Sequence, residues 1–491
     1  MLLVPRALIA ALTVAAAAGF AIDASGYPRY CAKDMSKFAI QPVADPQASS
    51  MKLVHVQVMV RHGARTPYSG AKCWTGYKET WTCNLRDQVT PVLHAPGSTP
   101  SSSLTFDKIY VDGANVFRGN CLLGQLIDEG YTQQQQNGEF FRHAYVGKGP
   151  LALFQDDEAI DLTNTADVYF ESTDLDRTLG SGQIIVQSMF ATSERVVVPW
   201  HTSDMAVSRW FPNPTTCPAL TALSKAWAAS PESAAWSNNR TNKAIRAQLQ
   251  ATIPGFNDDL GFDCLLTQRC TDKPLPGNMN STFFQQAATR AETTALLPYF
   301  YKNSIYAKTG SAQFVALIRA RLEAALAGRG PRFVLSAVHD STLMPLLAAL
   351  GGDVYLTEWV PYASHVTLEL YARDGGRFFF RLTYLGKPLP VPHCTSELCP
   401  IDAFLNMTAF ATDDSICGPN GTSSWPTGLT NGSLTEATTQ ESSAASTTTN
   451  AASGYSVTSM AIVGAGGCLV GAVIGYFVSR QQAPQNVYSA V

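Results

Sequence analysis

Clustered charge is what this chain lacks. Its 491 residues carry 35 Lys and Arg against 38 Asp and Glu, a formal net charge of −3, and no basic block or basic helix is visible. That absence argues against a nucleic-acid partner, because a phosphate backbone is met by a basic patch or stripe. Metal-ligating motifs are missing as well. The eleven cysteines form no Cys-x-x-Cys pair, and His55, His94, His143, His201, His365 and His393 show no metal-ligand spacing. A zinc site is therefore not expected, and the chemistry requires no metal or other cofactor. His55 lies inside an apolar run and reads as a packed, hydrogen-bonded histidine.

The two ends of the chain point to a secretory route. Arg6 followed by the apolar run Ala7–Ala18, with the small residues Gly19 and Ala21 before Ile22, reads as a cleaved signal peptide over 1–21. Ten cysteines lie between Cys31 and Cys417, and Cys468 stands apart. An even count in an oxidising compartment implies disulfides, although the pairing of Cys31, Cys73, Cys83, Cys121, Cys217, Cys264, Cys270 and Cys417 does not follow from spacing. Acceptor triplets begin at Asn239, Asn280, Asn406, Asn420 and Asn431, as expected of a lumenal glycoprotein. Residues 418–455 are rich in Ser, Thr, Gly and Asn, a composition that cannot bury a core and suits an O-glycosylated stalk.

Residues 457–478 are uncharged and mostly apolar, long enough for one membrane span, with Arg480 on the side expected to face the cytosol. A lipid-anchor signal would end in its apolar run, whereas here a polar tail, 479–491, continues. The expected topology is single-pass type I, with the catalytic part lumenal or extracellular, in the endosomal–lysosomal membrane or at the cell surface. Gly467, Gly471 and Gly475 repeat every four residues and offer one helix face for homodimer packing. The terminal Tyr488-Ser489-Ala490-Val491 resembles a tyrosine-based sorting signal, read by an adaptor in lysosomally routed membrane proteins.

Between these ends, three short apolar runs each deliver a polar motif. Leu53–Val60 is apolar on both faces, as a central parallel strand should be, and runs into Arg61-His62-Gly63-Ala64-Arg65-Thr66-Pro67. Asp167–Glu171 leads into Ser172-Thr173-Asp174-Leu175-Asp176-Arg177-Thr178, and Phe333–Val338 into His339-Asp340-Ser341-Thr342. Ligands of open α/β sheets bind beyond the carboxyl ends of the strands, so His62, Arg177 and His339 are expected to converge. Guanidinium forks match phosphate oxygens and stay charged, which makes Arg61, Arg65 and Arg177 a candidate phosphate clamp. Neighbouring positive charge would keep His62 unprotonated and nucleophilic. His339 would complete the anion site, and Asp340 would serve as general acid. A plain helix N-cap is the structural alternative for Asp340, and a surface pair with Asp174 or Asp176 is the alternative for Arg177.

These three motifs, in this order, resemble those of the histidine acid phosphatases over about Leu53 to Cys417. The resemblance implies an α/β fold, the phosphoglycerate-mutase-like α/β sandwich, with an inserted α-helical cap. It places the phosphatase domain at 26–417 and the cap roughly at 181–308, an Ala-rich stretch with several tryptophans and Pro or Asn breaks. A Cys394–Cys399 bridge also follows from the resemblance; Leu126–Tyr145 has helical character by itself, and Gly124-Gln125-Leu126, Gly130 and Gly138 resemble a family segment in which a helix follows the catalytic strand region. The layout is similar to the lysosomal and prostatic type, made membrane-bound by one C-terminal transmembrane helix. The implied activity is hydrolysis of a phosphomonoester substrate at acidic pH through a phosphohistidine. The segment Tyr68–Asn120 departs from the pattern and should border the pocket mouth. The rivals are a phosphomutase, against which Asp340 speaks because such a mutase usually carries Glu as its acid, a phosphatase specialised for lysophosphatidate or inositol polyphosphates, and a catalytically silent membrane-anchored binding protein.

Overall fold

The computed structural model describes residues 20–68, 73–83, 116–156, 158–190 and 196–418. The signal peptide up to Gly19, the stalk beyond Gly418, the span, the tail, Asn420, Asn431, Gly467, Cys468, Gly471, Gly475 and Tyr488 lie outside the described residues. Among the described residues, no helix is long and apolar enough to cross a membrane.

The first apolar run forms β1 (Met51–Arg61), the second β2 (Val168–Ser172) and the third β3 (Phe333–Val338). Then follow β4 (His365–Arg373), β5 (Arg377–Tyr384), β6 (Lys387–Pro388) and β7 (Cys399–Pro400). Their order is β6-β5-β4-β1-β3-β2, with β7 paired to β5. The motif strands are parallel neighbours: Arg61 pairs with Val338, and Ser172 with Ala337. All three motifs therefore leave the sheet at the same end, beyond the carboxyl ends of the three parallel strands. The β4–β5 hairpin turns at Asp374-Gly375-Gly376, where both glycines take positive φ (83° and 73°).

Alternation along β1 explains why both of its faces are apolar. Val56, Val58 and Val60 pack in one cluster with Phe141 and Tyr145 of α1 (Asp128–Tyr145) and Ile185, Val186 and Met189 of α2 (Asp176–Met189). Met59 points the other way, toward Val315, Ile318, Leu346 and Leu350. The helices of the cap are α3 (Ala219–Ala228), α4 (Pro231–Asn238), α5 (Arg240–Thr252) and α6 (Asp258–Cys270). Then come α7 (Ser281–Leu326), α8 (Asp340–Tyr355) and α9 (Ile401–Met407). Val315 and Ile318 belong to the C-terminal half of α7, and Leu346 and Leu350 to α8.

The cap boundaries expected at 181–308 need correction. Residues 181–189 complete α2 and belong to the sandwich, because Ile185 and Met189 are fully buried against the sheet. The helix α7 is broken at Tyr301–Ser304, where Lys302, Asn303 and Ser304 take positive φ shortly after Pro298. Only its N-terminal half joins the cap, in a second cluster with α6, Trp74, Trp81 and Phe117.

Ten cysteines form five bridges: Cys31–Cys270, Cys73–Cys264, Cys83–Cys121, Cys217–Cys417 and Cys394–Cys399. The last is the local bridge that the resemblance implies. Three of the others close 191 to 239 residues of sequence, the long loops for which cross-linking restricts the unfolded chain most. Asn239, Asn280 and Asn406 are exposed.

Candidate active site

The loop after β1 is held open-ended by buried polar contacts. The His62 amide donates to Val338 O at 3.0 Å and the Ala363 amide to His62 O at 3.0 Å. From α1, Gln133 Oε1 accepts from the Ala64 amide at 2.8 Å, and Gln134 Nε2 donates to Arg61 O at 2.8 Å. Gly63 and Gly130 let the loop and the helix touch backbone to backbone. A Cβ on Gly63 would lie 2.4 Å from Gly130 O, and one on Gly130 would lie 2.1 Å from Ala64 O.

His62 is fully buried, and its Nδ1 is 2.8 Å from Gly63 O. A carbonyl only accepts, so Nδ1 carries the proton and the lone pair is left on Nε2. Burial first, then the charges of Arg177, Arg61 and Arg65, push its pKa well below the ordinary value. His339 sits 5.5 Å away, ring centre to ring centre, at the N-cap position of α8. Its Nε2 meets Thr173 Oγ1 at 2.8 Å, its Nδ1 has no partner among the described residues, and burial followed by Arg177 lowers its pKa in the same way. Burial and the surrounding arginines therefore both favour the neutral form of the two rings.

The three arginines are buried around these rings. Arg61 donates to Val360 O (2.6 Å) and Tyr30 Oη (2.8 Å), and pairs with Asp340 at 2.8 Å. Its guanidinium is flanked by the rings of Tyr30 and Tyr362 at 4.7 and 4.5 Å. Arg65 pairs with Asp263 at 3.0 Å. Burial opposes the charge of Arg65, and the Asp263 carboxylate more than offsets it, so its pKa rises. Arg177 lies over the Tyr68 ring at 4.6 Å and has no ion pair among the described residues. Burial, then Arg65, lowers its pKa to about 9, which marks an excess of positive charge that an anion would relieve. The pairing with Asp174 or Asp176 weighed from sequence does not occur.

Asp340 is the first residue of α8 and does not cap it; the N-cap is His339. Its Oδ1 accepts from the Ser341 amide at 2.9 Å and its Oδ2 from Trp359 Nε1 at 2.8 Å. Burial opposes its ionisation, but Arg61 and then Trp359 hold the carboxyl down at about 2.

All six residues singled out from sequence thus lie in one cluster. Asp263, Tyr68, Trp359, Thr173, Tyr30 and Tyr362 were missed. Tyr68 adjoins the first motif and Thr173 lies within the second, but the others come from segments with no motif. A cleft of about 570 Å³ lined by Arg29, Lys37, Glu358 and Tyr384 includes none of the six. Three guanidiniums, two carboxylates, a neutral imidazole with a free Nε2 lone pair and a second neutral imidazole make a setting suited to a tetrahedral anion and to attack upon it.

Comparison with known proteins agrees with this chemistry. Residues 52–385 match the family described as histidine phosphatase superfamily (branch 2). Counting factor 60 of Dictyostelium discoideum is 29% identical over 415 residues, covering 81% of this chain and 93% of its own. Lysophosphatidic acid phosphatase type 6 of Homo sapiens is 26% identical over 393 residues, 74% of this chain and 84% of its own. Lysosomal acid phosphatase of Bos taurus is 28% identical over 313 residues, 58% and 69%. Among solved structures, Hafnia alvei phytase in complex with tartrate aligns with a TM-score of 0.48 at 13% identity, over 76% of this chain and 99% of that one.

Proposed function

The chain belongs to branch 2 of the histidine phosphatase superfamily and is an acid-phosphatase-like hydrolase, and we propose that it cleaves phosphate monoesters at acidic pH through a covalent phosphohistidine on His62. The observation that carries this reading is the buried, neutral His62. Its Nδ1–H is held by Gly63 O, and Arg61, Arg65 and Arg177 surround it.

In the first step the Nε2 lone pair attacks phosphorus and the ester P–O bond breaks. Arg61, Arg65 and Arg177 stabilise the charge spread over the phosphoryl oxygens. His339 contributes Nδ1–H in the tautomer whose Nε2 takes the one hydroxyl proton of Thr173, which then no longer donates to Thr178 Oγ1. The leaving oxygen takes its proton from Asp340. In the second step the Asp340 carboxylate takes a proton from water, the hydroxide oxygen bonds to phosphorus, and the N–P electron pair returns to His62.

In the protein alone Asp340 is ionised, held at about 2 chiefly by Arg61 against the effect of burial. A bound phosphoryl group takes up the charge of Arg61 and places negative charge beside the carboxyl. Both effects raise the Asp340 pKa, and a monoester below its second pKa of ~6 arrives with the proton required. Acidic pH therefore loads the acid while leaving His62 neutral.

The same proposal extends to the whole chain. A signal peptide (1–21), a lumenal domain (26–417), a stalk (418–455), a span (457–478) and a cytosolic tail (479–491) make a type I enzyme of the endosomal–lysosomal membrane or cell surface. Five disulfides and three exposed glycosylation acceptors support a lumenal domain. Pairing of spans through Gly467, Gly471 and Gly475, and adaptor binding at Tyr488, belong to this layout.

One experiment uses two forms of the chain, full-length and ending at Gly418. The shorter form should be secreted and hydrolyse an aryl phosphate in mild acid, while the longer one stays with membranes. Quenching in alkali with labelled substrate should leave base-stable label on His62, and His62→Ala should lose both label and turnover while keeping its circular dichroism. Label on Ser or Asp, or turnover by the Ala variant, refutes the mechanism. Recovery of both forms in the medium refutes the anchor.

A further inference from the structure

Resting on that phosphatase reading, we propose that Asp263 is a specificity-determining carboxylate that confines the site to singly phosphorylated substrates. It belongs to no motif and reaches the clamp from the cap. Oδ1 lies 3.0 Å from Arg65 Nη1, and Oδ2 accepts from the Tyr68 amide at 2.7 Å. The ring of Tyr68 lies beneath Arg177 at 4.6 Å and Arg65 at 5.9 Å. One carboxylate therefore orients an arginine of the clamp, fixes the aromatic wall under a second arginine, and adds a negative charge at their border.

That charge cannot swing away with the cap. Cys270 at the end of α6 is bridged to Cys31, whose neighbour Tyr30 accepts from Arg61 at 2.8 Å and from the Tyr362 amide at 3.0 Å, while the Cys264–Cys73 bridge holds the residue next to Asp263 within the cap. The direction of approach matters too. Below His62 and His339 the strand residues Val60 and Val338 are fully buried, so the part of a substrate beyond its scissile phosphoryl group must leave on the cap side. A second phosphate close to the first meets the fixed carboxylate there, and like charges at such a distance in a half-buried site repel. A lone phosphoryl group is held at the arginines and does not carry further charge toward Asp263.

The test compares wild type, Asp263→Asn and Asp263→Ser on an aryl monophosphate and on inositol hexakisphosphate, with inorganic phosphate as inhibitor. In the Asn variant the amide oxygen still accepts from the Tyr68 amide, while the charge and the acceptor for Arg65 Nη1 are removed. The ratio of kcat/KM for the hexakisphosphate to that for the monophosphate should rise about tenfold or more, while inhibition by inorganic phosphate, a lone phosphoryl group, should change little by comparison. The Ser variant should show the same rise in ratio with a higher KM for both substrates, because the Tyr68 anchor is weakened. A ratio unchanged in whichever variant folds, with wild type active on the aryl ester, overturns this inference alone. Wild type inactive on that ester overturns the phosphatase reading and this inference with it.

Discussion

Trp359 touches the proposed acid and the fold at once. Its indole donates to Asp340 Oδ2 at 2.8 Å, its amide donates to Glu292 Oε1 at 2.7 Å, and its ring meets Tyr30 edge-on at 5.9 Å. A hydrogen bond to an ionised carboxylate contributes about 1.5–3 kcal/mol, and here it favours the charged form of Asp340. Phe in its place keeps the apolar ring and removes only the donor. Trp359→Phe should therefore raise the Asp340 pKa. An acid that must be protonated stays so to higher pH, and the alkaline limb of the kcat profile should move up by about one unit. With a less firmly held carboxyl, alkyl phosphates should also slow more than aryl phosphates. An alkaline limb that stays in place would reduce Trp359 to packing.

At the scale of elements, α1 shows where sequence reading succeeds and where it stops. The helix itself was legible over Leu126–Tyr145, as were the three motif strands, because their apolar runs have the length and pattern of central strands. The motifs that carry the six candidate residues were legible because each begins at a strand end: Arg61 closes β1, His339 follows β3, and Arg177 lies beyond β2 in the first turn of α2. The Gln133, Gln134 and Asn137 side of α1 was not. A run of four glutamines reads as a solvated face, yet these three side chains are buried and hold the Arg61–Ala64 loop and Ala363 O. Polar residues buried on loop backbone give no periodic signal, since their partners lie 69 to 226 residues away. Asp263 escaped for the same reason: its meaning depends on a disulfide pairing that spacing leaves open. The boundary of the cap was misread at Ser181 because α2 is as rich in small residues as the cap helices. The contact between loop and α1 also supplies a test with competing terms. Alanine is favoured over glycine inside a helix by about 1 kcal/mol. At Gly130 the added Cβ would stand 2.1 Å from Ala64 O and 2.7 Å from Ala64 N, a backbone clash that no side-chain rotation relieves. The clash should win. Gly130→Ala should lower the melting temperature and, by displacing Gly63 and Ala64, reduce kcat by about tenfold or more, since a small misplacement of reacting groups is costly. A variant as stable and active as wild type would show that the close approach is not needed.

For the molecule as a whole, acidic pH sets two groups of buried residues against each other. His55 and His365 are held near 4 by burial, and His62, His339 and His201 are lowered by burial as well. Each binds its proton more readily when unfolded, so this contribution is full above about 6.5 and is lost as pH falls through the folded values. Glu292 works in the opposite sense. Burial raises it to about 7, with Glu358 adding to the rise and Arg29 and the Trp359 amide opposing it. Its folded form binds a proton that the unfolded chain releases, so its destabilising charge is present above about 7 and disappears as pH falls toward 4.5. A gap of this size corresponds to at most about 3 kcal/mol. The acid therefore offsets part of what the histidines lose in the range where the enzyme is proposed to act. Glu292→Gln isolates the effect, because the amide resembles the protonated acid and can still accept from the Trp359 amide. The melting temperature of the variant should exceed that of wild type by several degrees at pH 7.5, and the difference should shrink to near zero at pH 4.5. A difference independent of pH would mean that Glu292 binds its proton alike in the folded and unfolded chain and offsets none of what the histidines lose.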